Sequence, residues 1–444
     1  MDNGLVLVGA SIVDGTGRDP FTGTVIVNKG RIIKIDLGSG TTIPRGYKVW
    51  DLTGKTIFPG LIDAHAHVAL VEAQHGSYES KHPGAVYAFT VAKNLEDYLK
   101  HGFTTIRDAG GCTWSFKEAL RRKLIAGPNL YISNSFISQT GGHGDHRLRT
   151  DASAPKLEHP LHAPPAIADG SDAVSKAARE QLRAGADQIK IMAGGGVASP
   201  TDALETPQYT LQELKAAVYE ADAVGKYVLA HVYVPQGIQN CIDAGIKSIE
   251  HGNFLTEELA MQMREANMYL IPTLGIYELI SELGPKLGMS KDSLAKNEIV
   301  MNVGHESLKI AIDAGVKVGS GSDVFGPYST FRAFELEVKS RSMGAIEAVK
   351  ASTKINAELM GIGDSTGTVE TGKIADLTNS PDSNFGGAIT AALFLKEFVK
   401  PSTIWAHIDL MAWNTTTRPG RPEGGEAMGL RAVYQAICNW TKRI

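Results

Sequence analysis

The chain has 444 residues, of which 43% are apolar and 21% charged, and a formal net charge of −4. That is enough chain for a large core and more than one domain, and a mildly acidic balance argues against a nucleic-acid partner, which would favour a basic face. No run of 18 apolar residues could span a membrane, and Met1 to Ala10 lacks the basic start and long apolar stretch of a signal peptide, so a cytoplasmic location is the expectation. Cys112, Cys241 and Cys438 are too widely spaced for a disulfide framework or a zinc knuckle, and they fit a reducing compartment.

Residues 1–57 alternate short β-like runs with glycine turns. Leu5 to Val8, Thr24 to Val27, Arg31 to Ile35 and Lys48 to Trp50 are the expected strands, and Asn28-Lys29-Gly30 reads as a hairpin turn. A Pro59-Gly60 turn then leads into Leu61-Ile62-Asp63-Ala64-His65-Ala66-His67-Val68, an apolar run that ends in His-x-His. Strand side chains two apart share a face, so His65 and His67 project together, on the side of Asp63, and two imidazoles on one rigid strand end can hold a metal ion.

From residue 58 onward strands alternate with helices. The expected strands are 61–68, Thr104 to Arg107, Leu130 to Ser133, Gln188 to Met192, Tyr227 to His231, Lys247 to Glu250, Tyr269 to Pro272 and Val316 to Gly319. Helical periodicity fills gaps such as Leu211 to Val224 and Thr256 to Ala266. Eight strands alternating with helices predict an α/β fold, a (β/α)₈ TIM barrel behind a small β-sheet domain. The expected division is 1–57 for the β domain, 58–360 for the barrel, 361–377 for a return to the β domain and 378–444 for an atypical α/β tail. Gln139 to Gly170, rich in Gly, His and Pro, is too long for a plain connector and reads as a lid, a binding loop or a surface excursion.

Chemistry-bearing residues fall at the carboxyl ends of these strands, the face where barrel enzymes build their sites. His65 and His67 end the first, Asp108 follows the second, Lys190 lies in the fourth, His231 ends the fifth, His251 the sixth, and Asp323 follows the eighth. Imidazoles and carboxylates suit two divalent metal ions, zinc by default, and a site with an open position activates water. Lys190 has no lone pair while protonated, but a buried lysine deprotonates easily, and its neutral amine can take up carbon dioxide to become a bridging carbamate. Asp323 would take the proton of the attacking water and pass it to the leaving nitrogen. Each residue alone also suits a plainer role: Lys190 a salt-bridged lysine, His231 a core histidine, Asp323 a cap. His75, His82, His101, His146, His159, His162 and His305 read as surface residues of helices or polar loops. Gly194-Gly195-Gly196 reads equally as a close approach to a ligand or as a plain turn.

Gly60 to His67, Thr104 to Gly111, the Lys190 strand, Ile249-Glu250-His251-Gly252 and Gly321-Ser322-Asp323 together resemble the metal-dependent amidohydrolase superfamily over about residues 1–376. Ser138 to His143, Ala186 to Asp202 and Leu229-Ala230-His231-Val232-Tyr233 resemble one branch of it. That branch holds Xaa-Pro dipeptidases with a carboxylated lysine, ochratoxin-hydrolysing amidohydrolases and imidazolonepropionase-like relatives. The resemblance implies that His65, His67 and Asp323 bind a more buried metal, that His231 and His251 bind a more exposed one, and that N6-carboxylated Lys190 bridges them. It also implies that His143 and Tyr233 face the substrate and take part in catalysis. The implied substrate is a small molecule or dipeptide with an amide bond to an amino acid: an Xaa-Pro dipeptide, an N-acyl amino acid or ochratoxin A. A cyclic amide or imidazolone is the alternative.

The pattern departs after Leu377. Gly386 to Leu395, Trp405 to Asp409 and Arg418 to Ala427 resemble the C-terminal segment of a leucine aminopeptidase, without that family's metal-binding motifs. His407 and Asp409 therefore read as structural. A small β domain without its usual last strands would keep an exposed edge, which favours a homo-oligomer and leaves open an inactive or binding-only chain.

Overall fold

A computed structural model describes residues 4–38, 40–72, 83–150, 161–199 and 202–375, together with the backbone of Trp413–Asn414 and Gly424–Gly425. The chain divides into two units, Met1–Asn379 and Ser380–Ile444. In the second, the described strands Trp413–Asn414 and Gly424–Gly425 pair antiparallel. The remaining positions read from sequence in that tail, His407 and Asp409 among them, lie outside the described residues, as do His75, His82 and His159.

In the first unit, β1 (Leu5–Ile12), β2 (Phe21–Asn28), β3 (Arg31–Leu37) and β4 (Lys48–Asp51) form a sheet in the order β3-β2-β1-β4, and β5 (Thr56–Ile57) also pairs with β1. Lys29 and Gly30 both take positive φ, +49° and +70°, the geometry of a two-residue hairpin turn whose twist matches that of its strands. Leu7, Ile12, Val25, Val27 and Ile32 pack together under this sheet with Val369. Residues 372–375 return to its β3 side: Ile32 N donates to Lys373 O at 3.0 Å and Ala375 N to Gly30 O at 2.9 Å. Val49 and Trp50 of β4 stay 43% and 39% exposed, so β4 presents apolar surface.

The rest of the unit is a parallel α/β arrangement. One sheet runs β6 (Leu61–Ala66), β7 (Phe103–Asp108), β8 (Asn129–Ile132). The other runs β10 (Ala166–Ile167), β9 (Ile137–Ser138), β11 (Ile189–Met192), β12 (Val228–Val232), β13 (Ser248–His251), β14 (Tyr269–Ile271), β15 (Lys317–Val318). All eight expected strands are present, with ends within two residues of those read from sequence. β10 lies inside the stretch expected to be only loop, and β9 ends just before it. β6, β11, β12 and β13 are buried along their whole length, as strands covered on both faces must be. Backbone hydrogen bonds join the sheets, among them Ala64 N on β6 to Ser320 O beyond β15 (2.9 Å), Asp323 N to His65 O on β6 (2.7 Å) and Asp187 N to Ile132 O on β8 (2.8 Å).

The helices carry local start and stop signals. Leu211–Asp222 opens on a capping box, Thr210 with Glu213, and Glu257–Glu265 on a Thr256 cap. Lys291–Ala314 closes on Gly315 in the left-handed conformation. Gly84–Lys100 buries Tyr87, Val91, Leu95 and Tyr98, three and four residues apart, so one stripe faces the core. No helix among the described residues is long and apolar enough to cross a membrane.

Candidate active site

The carboxyl ends of β6, β11, β12, β13 and β15 meet at one cleft. His65 lies on β6 and His67 just past its end, Lys190 lies on β11, His231 on β12, and His251 ends β13. Asp323 follows β15. The chain turns sharply where it presents these groups: His251 and Asp323 take φ of +76° and +52°, left-handed values that a non-glycine residue holds only when its surroundings impose them. At Gly321 any Cβ would collide with the His65 Cβ and backbone, so the β15 loop lies directly on the His65 strand. Asp63 pins the same junction, accepting from Ser322 N at 3.0 Å and from Ser322 Oγ at 2.5 Å, so it clamps rather than ligates.

One ligand atom each of His65, His67 and Asp323 lies within 4.8 Å of the other two. His67 Nε2 is 3.2 Å and His65 Nε2 3.5 Å from Asp323 Oδ1, and Lys190 Nζ is 3.5 Å from His65 Nε2. The opposite nitrogen of each imidazole is already committed. His65 Nδ1 donates to Glu250 Oε2 (2.7 Å), His67 Nδ1 to Gly110 O (3.0 Å) and His231 Nε2 to Gly195 O (3.0 Å). A carboxylate or carbonyl only accepts, so those nitrogens carry the hydrogen and the lone pairs of His65 Nε2, His67 Nε2 and His231 Nδ1 are left for another partner. This donor set fits a divalent metal.

Electrostatics point the same way. Burial, with Lys190 next, holds His65 well below the usual imidazole range, and burial pushes His251 down to about 3, so both stay neutral. Burial also lowers His231, helped by His143. Burial would lower His67 too, but Asp323 outweighs it and the net shift is upward. Burial would raise the Asp323 carboxyl, yet His65 and its neighbouring imidazoles hold it well below the usual carboxylate range. Lys190, wholly buried, is pushed down by desolvation to about 8, so its neutral amine is within reach near neutral pH.

The cleft has a cavity volume of about 70 Å³ and is partly open to solvent. Its polar groups are His65, His67, His143, His146, Lys190, His231, Tyr233, His251, Tyr277 and Asp323, and Leu70, Phe136, Ile276, Ile280 and Phe325 are among its apolar walls. Eight of the nine residues singled out from the strand ends and the branch motifs, His65, His67, His143, Lys190, His231, Tyr233, His251 and Asp323, thus come together here. Asp108 does not join them: its carboxylate accepts from Val68 N, Gly110 N and Cys112 N and shapes the loop behind His67. Gly194-Gly195-Gly196 lies beside the site, where Gly195 O accepts from His231 Nε2. Gly196 lies against the His143 ring, where a Cβ would overlap it. His143 is fixed further by Ser199 Oγ on Nδ1 (2.8 Å) and by Gln208 Oε1 on its backbone N–H (2.9 Å).

Two histidines read as surface are not. His146 lines the cleft, and His162 is buried with Nδ1 3.2 Å from the Tyr87 hydroxyl. Sequence reasoning also passed over Arg107 and Glu250. Arg107 is fully buried on β7 and donates to Ala64 O, to Ser248 Oγ (3.0 Å) and to both Glu250 oxygens (2.8 and 2.9 Å). An arginine inside an apolar strand needs a buried partner, and that requirement was a readable signal.

The sequence profile of the amidohydrolase family matches residues 56–387, three quarters of the chain. The chain belongs to the amidohydrolase family. It is a hydrolase acting on carbon–nitrogen bonds, in a family that is generally metal-dependent. The ochratoxinase of Aspergillus niger is 31% identical over 362 residues, which is 78% of this chain and 75% of that protein. A prolidase crystallised with N-methylphosphonate-L-proline is 36% identical, with a TM-score of 0.79 over 84% of this chain and 91% of its own. A minor likeness accompanies these: a protein named "Probable cytosol aminopeptidase" from Prochlorococcus marinus (strain MIT 9313) is 46% identical over 68 residues, 15% of this chain and 14% of the aminopeptidase.

Proposed function

We propose that this chain is a binuclear amidohydrolase that cleaves an amide bond to an amino acid, in an Xaa-Pro dipeptide, an N-acyl amino acid or an ochratoxin A-like molecule. The observation that carries the reading is the convergence of His65, His67 and Asp323 within 4.8 Å, with Lys190 Nζ 3.5 Å from His65. The likeness to a prolidase and to an ochratoxinase supports the substrate class. The reading includes a closed (β/α)₈ barrel over 58–360, supported by the hydrogen bonds that join the sheets. It also includes the small β domain of 1–57, a return segment at 361–377, and a tail at 378–444 without an active site.

His65, His67 and Asp323 would hold the inner ion and His231 and His251 the outer one, with Lys190 as a carbamate between them. Zinc suits these donors. Bound ions would supply Lewis acidity, lowering the pKa of water and polarising a carbonyl. The chain's own groups do the rest. Asp323 takes a proton on its carboxylate from the attacking water and hands it to the leaving nitrogen, which departs as an amine. His143 and Tyr233 face the substrate, where an imidazole and a phenol can donate to the carbonyl oxygen or hold a carboxylate. The apolar walls exclude water and accept the substrate's hydrocarbon parts.

The test is metal content of the purified chain together with hydrolysis of Xaa-Pro dipeptides, N-acyl amino acids, ochratoxin A and a cyclic imide. Close to two ions per chain with cleavage of an acyl–amino-acid bond supports the reading. Two ions with only the cyclic substrate cleaved replaces it with a cyclic amidase. Little metal and no turnover overturns it in favour of a chain disabled by its altered C-terminus.

A further inference from the structure

The four site imidazoles are not anchored alike. His65, His67 and His231 each spend the nitrogen turned away from the cleft on a carboxylate or a carbonyl. His251 Nδ1 instead meets two hydroxyls, Thr273 Oγ1 at 2.7 Å and Tyr277 OH at 3.0 Å. A hydroxyl both donates and accepts, so it fixes a tautomer only if something else fixes the hydroxyl. For Tyr277 that something is present. Asn253 Nδ2 donates to Val300 O at 2.9 Å, which turns Asn253 Oδ1 towards the Tyr277 hydroxyl, 3.4 Å away. The Tyr233 oxygen, at 3.3 Å, and Thr273 Oγ1, at 3.5 Å, are also within reach of the Tyr277 proton. In each of these three arrangements the Tyr277 oxygen keeps a lone pair for the His251 Nδ1 hydrogen, and His251 Nε2 is left bare towards the cleft.

We infer that Tyr277 is a positioning residue whose single hydroxyl sets both the His251 imidazole and the Tyr233 hydroxyl. The inference rests on the roles proposed above for His251 and Tyr233. The scaffold around Tyr277 suits the task. Its side chain is 2% exposed, its carbonyl accepts from Asn297 Nδ2 at 2.9 Å, and Gly275 N, two residues before it, donates to the buried Glu335 Oε2 at 2.6 Å. The helix Leu274–Leu283 is therefore fixed at its first turn, and Tyr277 projects from it between the two groups it joins. Two groups sharing one hydroxyl cannot be set independently.

The experiment uses the full-length, metal-loaded chain and the variants Tyr277→Phe, Tyr233→Phe and the double variant. Tyr328→Phe, a buried tyrosine whose hydroxyl meets only Met289 Sδ among the described contacts, is the control for loss of a phenol. The readouts are kcat, KM, thermal midpoint and the rate at which each metal equivalent passes to dipicolinate. Tyr277→Phe is expected to lose about 10–100-fold in kcat with little change in KM, and to release one equivalent of metal faster than wild type. Its midpoint should stay near that of Tyr328→Phe. The double variant should lose less than the product of the two single losses. Strictly multiplicative losses, or metal release at the wild-type rate, overturn the inference, as does a kcat loss matched by a collapsed midpoint. Should Tyr277→Phe fail to fold, Asn253→Ala carries the same test, since it removes the acceptor that aims the hydroxyl. A wild-type chain that holds no metal overturns the binuclear reading first, and is told apart because no variant is needed to see it.

Discussion

The two halves of the site are built differently. The inner half, His65, His67 and Asp323, is fixed by backbone and buried charge: carboxylate and carbonyl anchors on the imidazoles, and the Asp63–Ser322 clamp beneath. The outer half adds ring contacts and hydroxyls to a single carbonyl anchor, that of His231 on Gly195 O. His143 stacks on His231 with centroids 4.2 Å apart and planes within 17°. His231 meets His251 edge-on at 4.5 Å, and Tyr233 lies 5.0 Å from one and 5.2 Å from the other. Ionic and backbone anchors hold one geometry, whereas ring contacts tolerate small sliding. Carboxylate and backbone anchors thus dominate the inner half, and ring contacts the outer half.

The largest expected effect is on the inner half. Asp323→Asn should cut kcat by about 10²–10⁴-fold while metal content stays near wild type, because the amide keeps a ligating oxygen but takes up no proton. Steady-state rates with metal analysis check this, and an active variant removes Asp323 from proton transfer. Lys190 sits between the halves. Lys190→Ala should lose turnover and recover part of it on addition of formate, a small carboxylate that fits the vacated space. In the metal-free wild-type chain, zinc uptake with bicarbonate should quicken as pH rises towards about 8, since deprotonation of the buried ammonium supplies the amine that carboxylation needs. An uptake rate indifferent to bicarbonate argues against the carbamate.

Glu250→Gln should act chiefly on stability. It leaves the Arg107 charge buried without its carboxylate partner, a loss of about 3–5 kcal/mol, measured by urea unfolding of the metal-free chain. A change near zero would mean that the inner half is not held by this pair. The mildest effect is expected on the outer half. Gly196→Ala should push the His143 ring aside, raising KM more than it lowers kcat and leaving the midpoint close to wild type. An unchanged KM would deny His143 its substrate contact.

Legibility followed burial. The eight strands were readable because each is a short apolar run between helical stretches, and the His-x-His of β6 because a two-residue period puts both rings on one face. β9 and β10 were not, because strands of two residues leave no periodicity to count. His146 and His162 misled for a related reason: polar neighbours in sequence say nothing of the residues that cover them in space. Arg107 and Glu250 were passed over because their meaning lies in a pairing between strands 143 residues apart. Tyr277 stands in a helix that looks like ordinary apolar packing, and only distances separate a core tyrosine from a relay.

That pairing bears on the order in which the molecule is made. His65 emerges early in synthesis, but its acceptor, Glu250, comes 185 residues later, and Glu250 in turn is held by Arg107. A nascent chain that stops short of β13 has the His-x-His pair without the carboxylate that sets its tautomer, and without Asp323 beside it. The candidate metal site is thus complete only once β6 and the segment after β15 have found each other, so a fragment that ends before Asp323 lacks part of the donor set.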